Sequence, residues 1–179
     1  MKQTISKLIV SSFILSMLFG GNVFARDMQK YNKVKNTYVD SELLPETENM
    51  SYDIIRDNAK STALGTAICS VANAGKGQIR VWAETTMYKP VDWAGITLYL
   101  EQWDETNETW RIVAEFEKEF FPEDEEDGIL TSATIEETVS GQPMGYYYRA
   151  RAMHELEFDV DWYEIRVTKT NGILIEYVP

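Results

Sequence analysis

The sequence predicts an all-β protein, a sandwich of seven to eight antiparallel strands preceded by a signal peptide and a polar leader. Three observations predict it. From Leu64 onward apolar and polar residues alternate with period two, the pattern of half-buried strands. Short clusters such as Asn73-Ala74-Gly75-Lys76-Gly77 and Ser140-Gly141-Gln142-Pro143 separate the alternating runs. The third is the run Gly145-Tyr146-Tyr147-Tyr148-Arg149-Ala150-Arg151-Ala152, whose small Ala150 and Ala152 suit a central strand packed closely against a facing sheet.

In chain order, Lys2 and Lys7 give a positive start and Leu8–Phe19 is an apolar run. Val23-Phe24-Ala25 offers short residues at the positions a signal peptidase reads, so cleavage is expected after Ala25. The run falls short of the roughly 18–20 apolar residues that span a bilayer. No membrane association is expected after cleavage, and no Cys follows the run to carry a lipid.

Residues 26–62 read as the polar leader, largely extended or disordered. Its basic residues come early (Arg26, Lys30, Lys33, Lys35) and its acids later. A short helix over Ser51–Ala59 is the one local element it suggests, with Ser51 as N-cap and Ile54 and Ile55 as anchors.

The sandwich is assigned to residues 63–179. Thr66–Ala72 is the first strand, with Cys69 a small buried hydrophobe. Ile79, Val81, Ala83 and Thr85 then face inward against Gln78, Arg80, Trp82 and Glu84. Ile96, Leu98 and Leu100 share a face, with Thr97, Tyr99, Glu101 and Trp103 opposite. Asp104–Glu108 turns the chain into a hairpin with Trp110–Phe120, where Trp110, Ile112, Ala114 and Phe116 oppose Arg111, Val113, Glu115 and Glu117.

A strand over Ile129–Val139 is expected to turn Ile129, Ala133 and Ile135 inward. In the Tyr run, Tyr146, Tyr148, Ala150 and Ala152 share one face and Tyr147, Arg149, Arg151 and Met153 the other. Tyr163, Ile165 and Val167 read as the inward residues of the next strand. Asn171-Gly172 reads as a hairpin turn leading to a closing strand over Ile173–Val178, because tight turns take residues that tolerate positive φ. Tyr148, at the start of the penultimate long strand, then fits the corner tyrosine of immunoglobulin-like sandwiches, with Tyr146 the alternative. Without the internal disulfide of antibody domains, the pattern is nearer fibronectin type III.

The order signal peptide, polar leader, Tyr-Tyr-Arg-Ala-Arg with His154 close behind, Glu164 and a final Asn-Gly-Ile resembles a group of small exported proteins of Gram-positive bacteria. The similarity spans about residues 64–175, with Gly145–His154 its most specific part. It implies a secreted, extracellular or wall-associated protein, and supplies no catalytic residues.

Composition narrows the function. Removing residues 1–25 leaves 15 basic against 29 acidic residues, a net charge of −14. That argues against unaided binding to nucleic acid or anionic lipid, which rests on Lys and Arg neutralising phosphate. Cys69 is the only cysteine and His154 the only histidine. An intrachain disulfide and a two-His metal site are therefore excluded.

No catalytic residues, no cofactor and no metal ligands are assigned. Glu123–Asp127 is acidic but lacks the alternating spacing of a calcium loop. The expectation is a monomeric, non-catalytic binding protein whose partner is a protein or a glycan outside the cell. A secreted glycan or cell-wall hydrolase and a toxin-like protein are the alternatives. The candidate ligand-binding residues are Tyr99, Trp103, Tyr147, Arg149 and Arg151, a type of set enriched at tight interfaces. Cross-strand stabilisation is the competing account of the same residues.

Overall fold

The computed structural model describes residues 41–56, 63–159 and 162–176. The expected signal peptide (1–25) and the basic half of the leader lie outside the described residues.

Among the described residues, nine strand segments form two antiparallel sheets. They are β1 (Met50–Arg56), β2 (Leu64–Gly75), β3 (Gln78–Met87), β4 (Trp93–Asp104), β5 (Thr109–Phe120), β6 (Ser132–Ser140), β7 (Tyr146–Phe158), β8 (Trp162–Lys169) and β9 (Ile173–Ile175). The first sheet runs β1-β2-β3-β6, and the second β5-β4-β7-β8 with β9 also on β7. β3 and β4 are consecutive yet lie in different sheets, as are β5 and β6 and then β6 and β7. This is the immunoglobulin-like key, with β1 added at the outer edge of the first sheet.

Local chemistry explains the turns. Lys76 and Gly77 both take positive φ (54° and 72°), the geometry of a two-residue hairpin loop, and connect β2 to β3. Asp104 organises the β4–β5 turn. Its Oδ1 accepts the backbone N–H groups of Thr106 (3.0 Å) and Asn107 (3.3 Å), and its Oδ2 accepts Asn107 Nδ2 (3.0 Å).

The inner faces meet in a core of Leu64, Ala67, Cys69, Val71, Ile79, Val81 and Ala83 from one side. Ile96, Leu98, Leu100, Tyr148, Ala150, Ala152 and Leu156 oppose them. The Tyr148 hydroxyl donates to the Pro143 carbonyl (2.8 Å) and accepts from Gln102 Nε2 (2.9 Å). Tyr148 is thus the corner tyrosine, while Tyr146 is exposed.

Several expectations are corrected. The described part of the leader forms β1, not a helix at Ser51: all seven of its residues pair with β2, from Met50↔Ala72 to Arg56↔Thr66. In β5, a register shift at Leu100/Glu101 inserts one extra residue and changes the phase. Ile112 is therefore exposed while Val113 packs on the core. Leu130 is buried in place of Ile129, and β6 begins only at Ser132.

The β8 phase is also reversed. Tyr163, Ile165 and Val167 pair with Glu157, Glu155 and Met153 on the outer face, so Glu164, Arg166 and Thr168 point inward. Those polar groups are satisfied there. Glu164 Oε2 accepts the Leu64 N–H (3.3 Å), its Oε1 lies 2.9 Å from Arg166 Nη2, and Thr168 bonds His154.

Asn171-Gly172 is not a hairpin turn. β8 and β9 both pair with β7 in the same direction, Arg151↔Lys169 and then Tyr148↔Ile173, a slip of one residue. Thr170 bridges the slip: its N–H donates to Ala150 O (2.9 Å) and its Oγ1 accepts Ala150 N–H (3.0 Å). Gly172 is small for a packing reason, since a Cβ there would stand 2.6 Å from Trp110 Cη2.

The segment before β1 closes this side of the sandwich. Leu43 forms a parallel bridge with Gly172, with Leu44 N–H to Gly172 O (2.9 Å) and Gly172 N–H to Glu42 O (2.8 Å). Within β1, Asp53 Oδ2 accepts the Lys169 N–H (2.7 Å) and Ser51 Oγ the Asn171 N–H (3.1 Å). These side chains satisfy backbone donors that an open edge would leave unpaired.

Candidate functional site

The residues singled out from sequence lie on the outer face of the second sheet, where β4 and β7 run side by side. The register sets Tyr99 opposite Arg151 and Glu101 opposite Arg149. Glu101 Oε2 accepts Arg149 Nε (2.7 Å), and its Oε1 accepts Arg151 Nε (2.8 Å) and lies 2.7 Å from Arg151 Nη2. The Arg151 guanidinium sits 4.3 Å from the Tyr99 ring centroid, and that of Arg149 4.5 Å from Trp110. Trp110 in turn meets Trp103 at 5.3 Å with planes tilted by 57°. Ser41 Oγ accepts Arg149 Nη1 (2.9 Å) and donates to Thr170 O (2.8 Å).

The structure therefore joins Tyr99, Arg149, Arg151 and Trp103 through Glu101 and Trp110, which were outside the candidate set. Tyr147 is half-buried, pairs with Leu174 of β9 and joins none of these contacts among the described residues. Outward orientation did not make these residues accessible. Tyr99 is 3% exposed, Arg149 7% and Arg151 6%. Burial, with Glu115 adding to it and Arg151 opposing, pushes the Tyr99 phenol up to about 12. Burial draws Arg149 below the usual arginine value, against the pull of Glu101. The arrangement is a cross-strand ladder of the kind that holds two central strands in register.

His154 and Cys69 lie between the sheets. Thr85 Oγ1 is 2.8 Å from His154 Nδ1 and Thr168 Oγ1 2.8 Å from its Nε2, and the ring has no exposed surface. Burial holds the imidazole near 3 and pushes the Cys69 thiol up to about 12. Neither is poised as a base or nucleophile at neutral pH. Among the described residues, no three His, Cys, Asp or Glu side chains are gathered to hold a metal.

The outer face of the first sheet is different. Register places Tyr52, Ser70, Trp82 and Glu136 in one row across β1, β2, β3 and β6. Tyr52 is 63% exposed and Met50, beside it, 52%, while Trp82 is half-buried. Ser70 of β2 stands between the two aromatic residues in this row, and Ala72 holds the same place in the row of Met50 and Arg80. Arg80 and Glu136 form a loose pair at 3.8 Å, each side chain more than half exposed. Ser132, Thr134, Thr138 and Ser140 present a stripe of exposed hydroxyls along β6.

Sequence reasoning placed Trp82 outward and missed Tyr52. The signal for Tyr52 was its alternation with Met50 and Ile54, which the surrounding polar residues obscured.

A second aromatic pair, buried Phe158 and exposed Trp162, sits at the β3–β4 and β7–β8 ends. Phe158 and Trp162 stack at 6.4 Å, and Lys89 lies 4.3 Å over Phe158 and 3.1 Å from Asp159. Residues 160–161 lie outside the described residues. The sheet face is carried wholly on paired strands.

Compared with known proteins, the sequence matches no family model and no curated protein.

Proposed function

We propose that this is an exported, monomeric, non-catalytic binding protein that acts at or outside the cell surface, on a protein or glycan. One observation carries the reading. The first sheet presents Tyr52 and Trp82 in a single register row on the outer face of paired strands, with Tyr52 largely exposed. Aromatic side chains there offer large contact area at small entropic cost, and the paired strands beneath them need no reordering on binding. Two further facts support it: His154 and Cys69 are sealed in the core, and the excess of acids disfavours phosphate-rich partners.

The test is an equilibrium binding curve of labelled full-length protein on isolated Gram-positive cell-surface material, with release of soluble sugars followed in parallel. Saturable binding that drops in a Tyr52→Ala/Trp82→Ala variant, without sugar release, is the expected outcome. Steady release of sugar would instead establish a hydrolase, and binding indifferent to the double substitution would put the contact elsewhere.

A further inference from the structure

The outer face of β1, β2, β3 and β6 has a chemistry more specific than binding in general. Among the described residues, register places four charged side chains on it, Arg56, Arg80, Glu84 and Glu136, two of each sign. This face is electrically balanced on a chain of net charge −12. A polyanion would find no basic surplus here and a polycation no acidic one. An uncharged partner meets no penalty.

The remaining groups narrow that partner. Tyr52 and Trp82 stand two strands apart in one row, a spacing of about 10 Å. Only the small Ser70 lies between them in the row, which leaves space for an extended molecule to reach both rings. Beyond Trp82 the same row reaches Glu136 on β6, flanked in the neighbouring rows by the hydroxyls of Thr134 and Thr138. Aromatic faces followed by hydroxyl and carboxylate groups suit a molecule with apolar C–H faces and a rim of hydroxyls. Pyranose rings have that character. In an extended β-1,4-linked chain, alternate sugars recur at close to the separation of these two side chains.

We infer that this face holds an uncharged, extended β-1,4-linked polysaccharide, laid across the strands with alternate sugars on Tyr52 and Trp82. The inference rests on the binding reading above and names its ligand class. Spanning both rings takes at least three consecutive sugars, and the β6 groups take the next.

Cellohexaose and chitohexaose are the probes, titrated into full-length protein by calorimetry and by tryptophan fluorescence, with Trp82→Ala separating the response of Trp82 from that of the other four tryptophans. Binding of one or both is expected, with the corresponding disaccharide markedly weaker. Tyr52→Ala and Trp82→Ala should each weaken it about tenfold, the loss of one aromatic anchor, while Tyr52→Phe retains it. Circular dichroism checks that the folds are unchanged, and since Tyr52 is largely exposed its removal leaves the core intact. Affinity unchanged by both Ala substitutions would overturn the proposal. Failure of both oligosaccharides, while binding to cell-surface material still depends on Tyr52 and Trp82, would overturn the glycan assignment alone. Failure of both kinds of binding would remove the underlying reading as well.

Discussion

Glu101 holds two guanidinium groups with one carboxylate, and all three side chains are more than nine-tenths buried. A buried ion pair contributes little net stability against an apolar replacement, but removing one partner strands the others. Glu101→Gln leaves Arg149 and Arg151 buried without their counter-charge and should lower unfolding free energy by about 3–5 kcal/mol in urea titrations. A loss no larger than that of an exposed pair would mean the ladder is solvated. Tyr148→Phe removes the hydroxyl that links Pro143 and Gln102 and should cost on the order of 1 kcal/mol. The two residues differ in how legible they were. Tyr148 was readable because a corner tyrosine follows from its position at the head of a strand. The burial of Tyr99, Arg149 and Arg151 was not legible because alternation tells which face a side chain takes, and not whether long neighbours lie across it. In this ladder Arg151 covers Tyr99, and Glu101 holds both arginines.

At the scale of elements, β3, β4 and β7 were legible because their inward residues are apolar and their flanking turns carry strong signals. β8 was not, since its inward Glu164, Arg166 and Thr168 are partnered by Leu64, one another and His154. Period-two reading assigns such residues to solvent, and only the facing strand reveals the partners. Asn171-Gly172 failed for a related reason: a dipeptide that suits a tight turn also suits a crowded strand slip. Gly172→Ala tests this assignment. A hairpin glycine would resist replacement through its positive φ, whereas here the new methyl meets Trp110 and Leu43. We expect a loss of about 1–3 kcal/mol from overpacking, substantially relieved when Trp110→Leu is introduced alongside. No relief would return the cause to the backbone. β1 escaped notice because an edge strand stitched by Asp53 and Ser51 to the opposite sheet needs little apolar content of its own.

Across the whole molecule, the polar seam through Thr85, His154 and Thr168 ties the two sheets together and makes stability depend on pH. His154 has a native pKa near 3 against an ordinary value of 6.5. Above pH 6.5 both native and unfolded histidine are neutral and its contribution to stability is fully present. As pH falls below 6.5 the unfolded chain takes up a proton that the native state refuses, so stability declines toward pH 3 at about 1.4 kcal/mol per pH unit. Between pH 6.5 and 5, above the ordinary carboxylate range, urea unfolding should show this slope, and a flat profile would mean that His154 is solvated. The same whole-molecule view divides the two outer faces: the second sheet's carries the buried ladder, and the first sheet's carries the exposed Tyr52 and is the proposed binding surface. One paired experiment tests that division most directly, by measuring the thermal midpoint and the binding isotherm on cell-surface material for Tyr52→Ala/Trp82→Ala and for Glu101→Gln. The division predicts that the first variant loses binding with little change in midpoint, and that the second loses thermal stability yet still binds while folded. The reverse pattern, binding lost with folded Glu101→Gln and kept by the aromatic double variant, would contradict it.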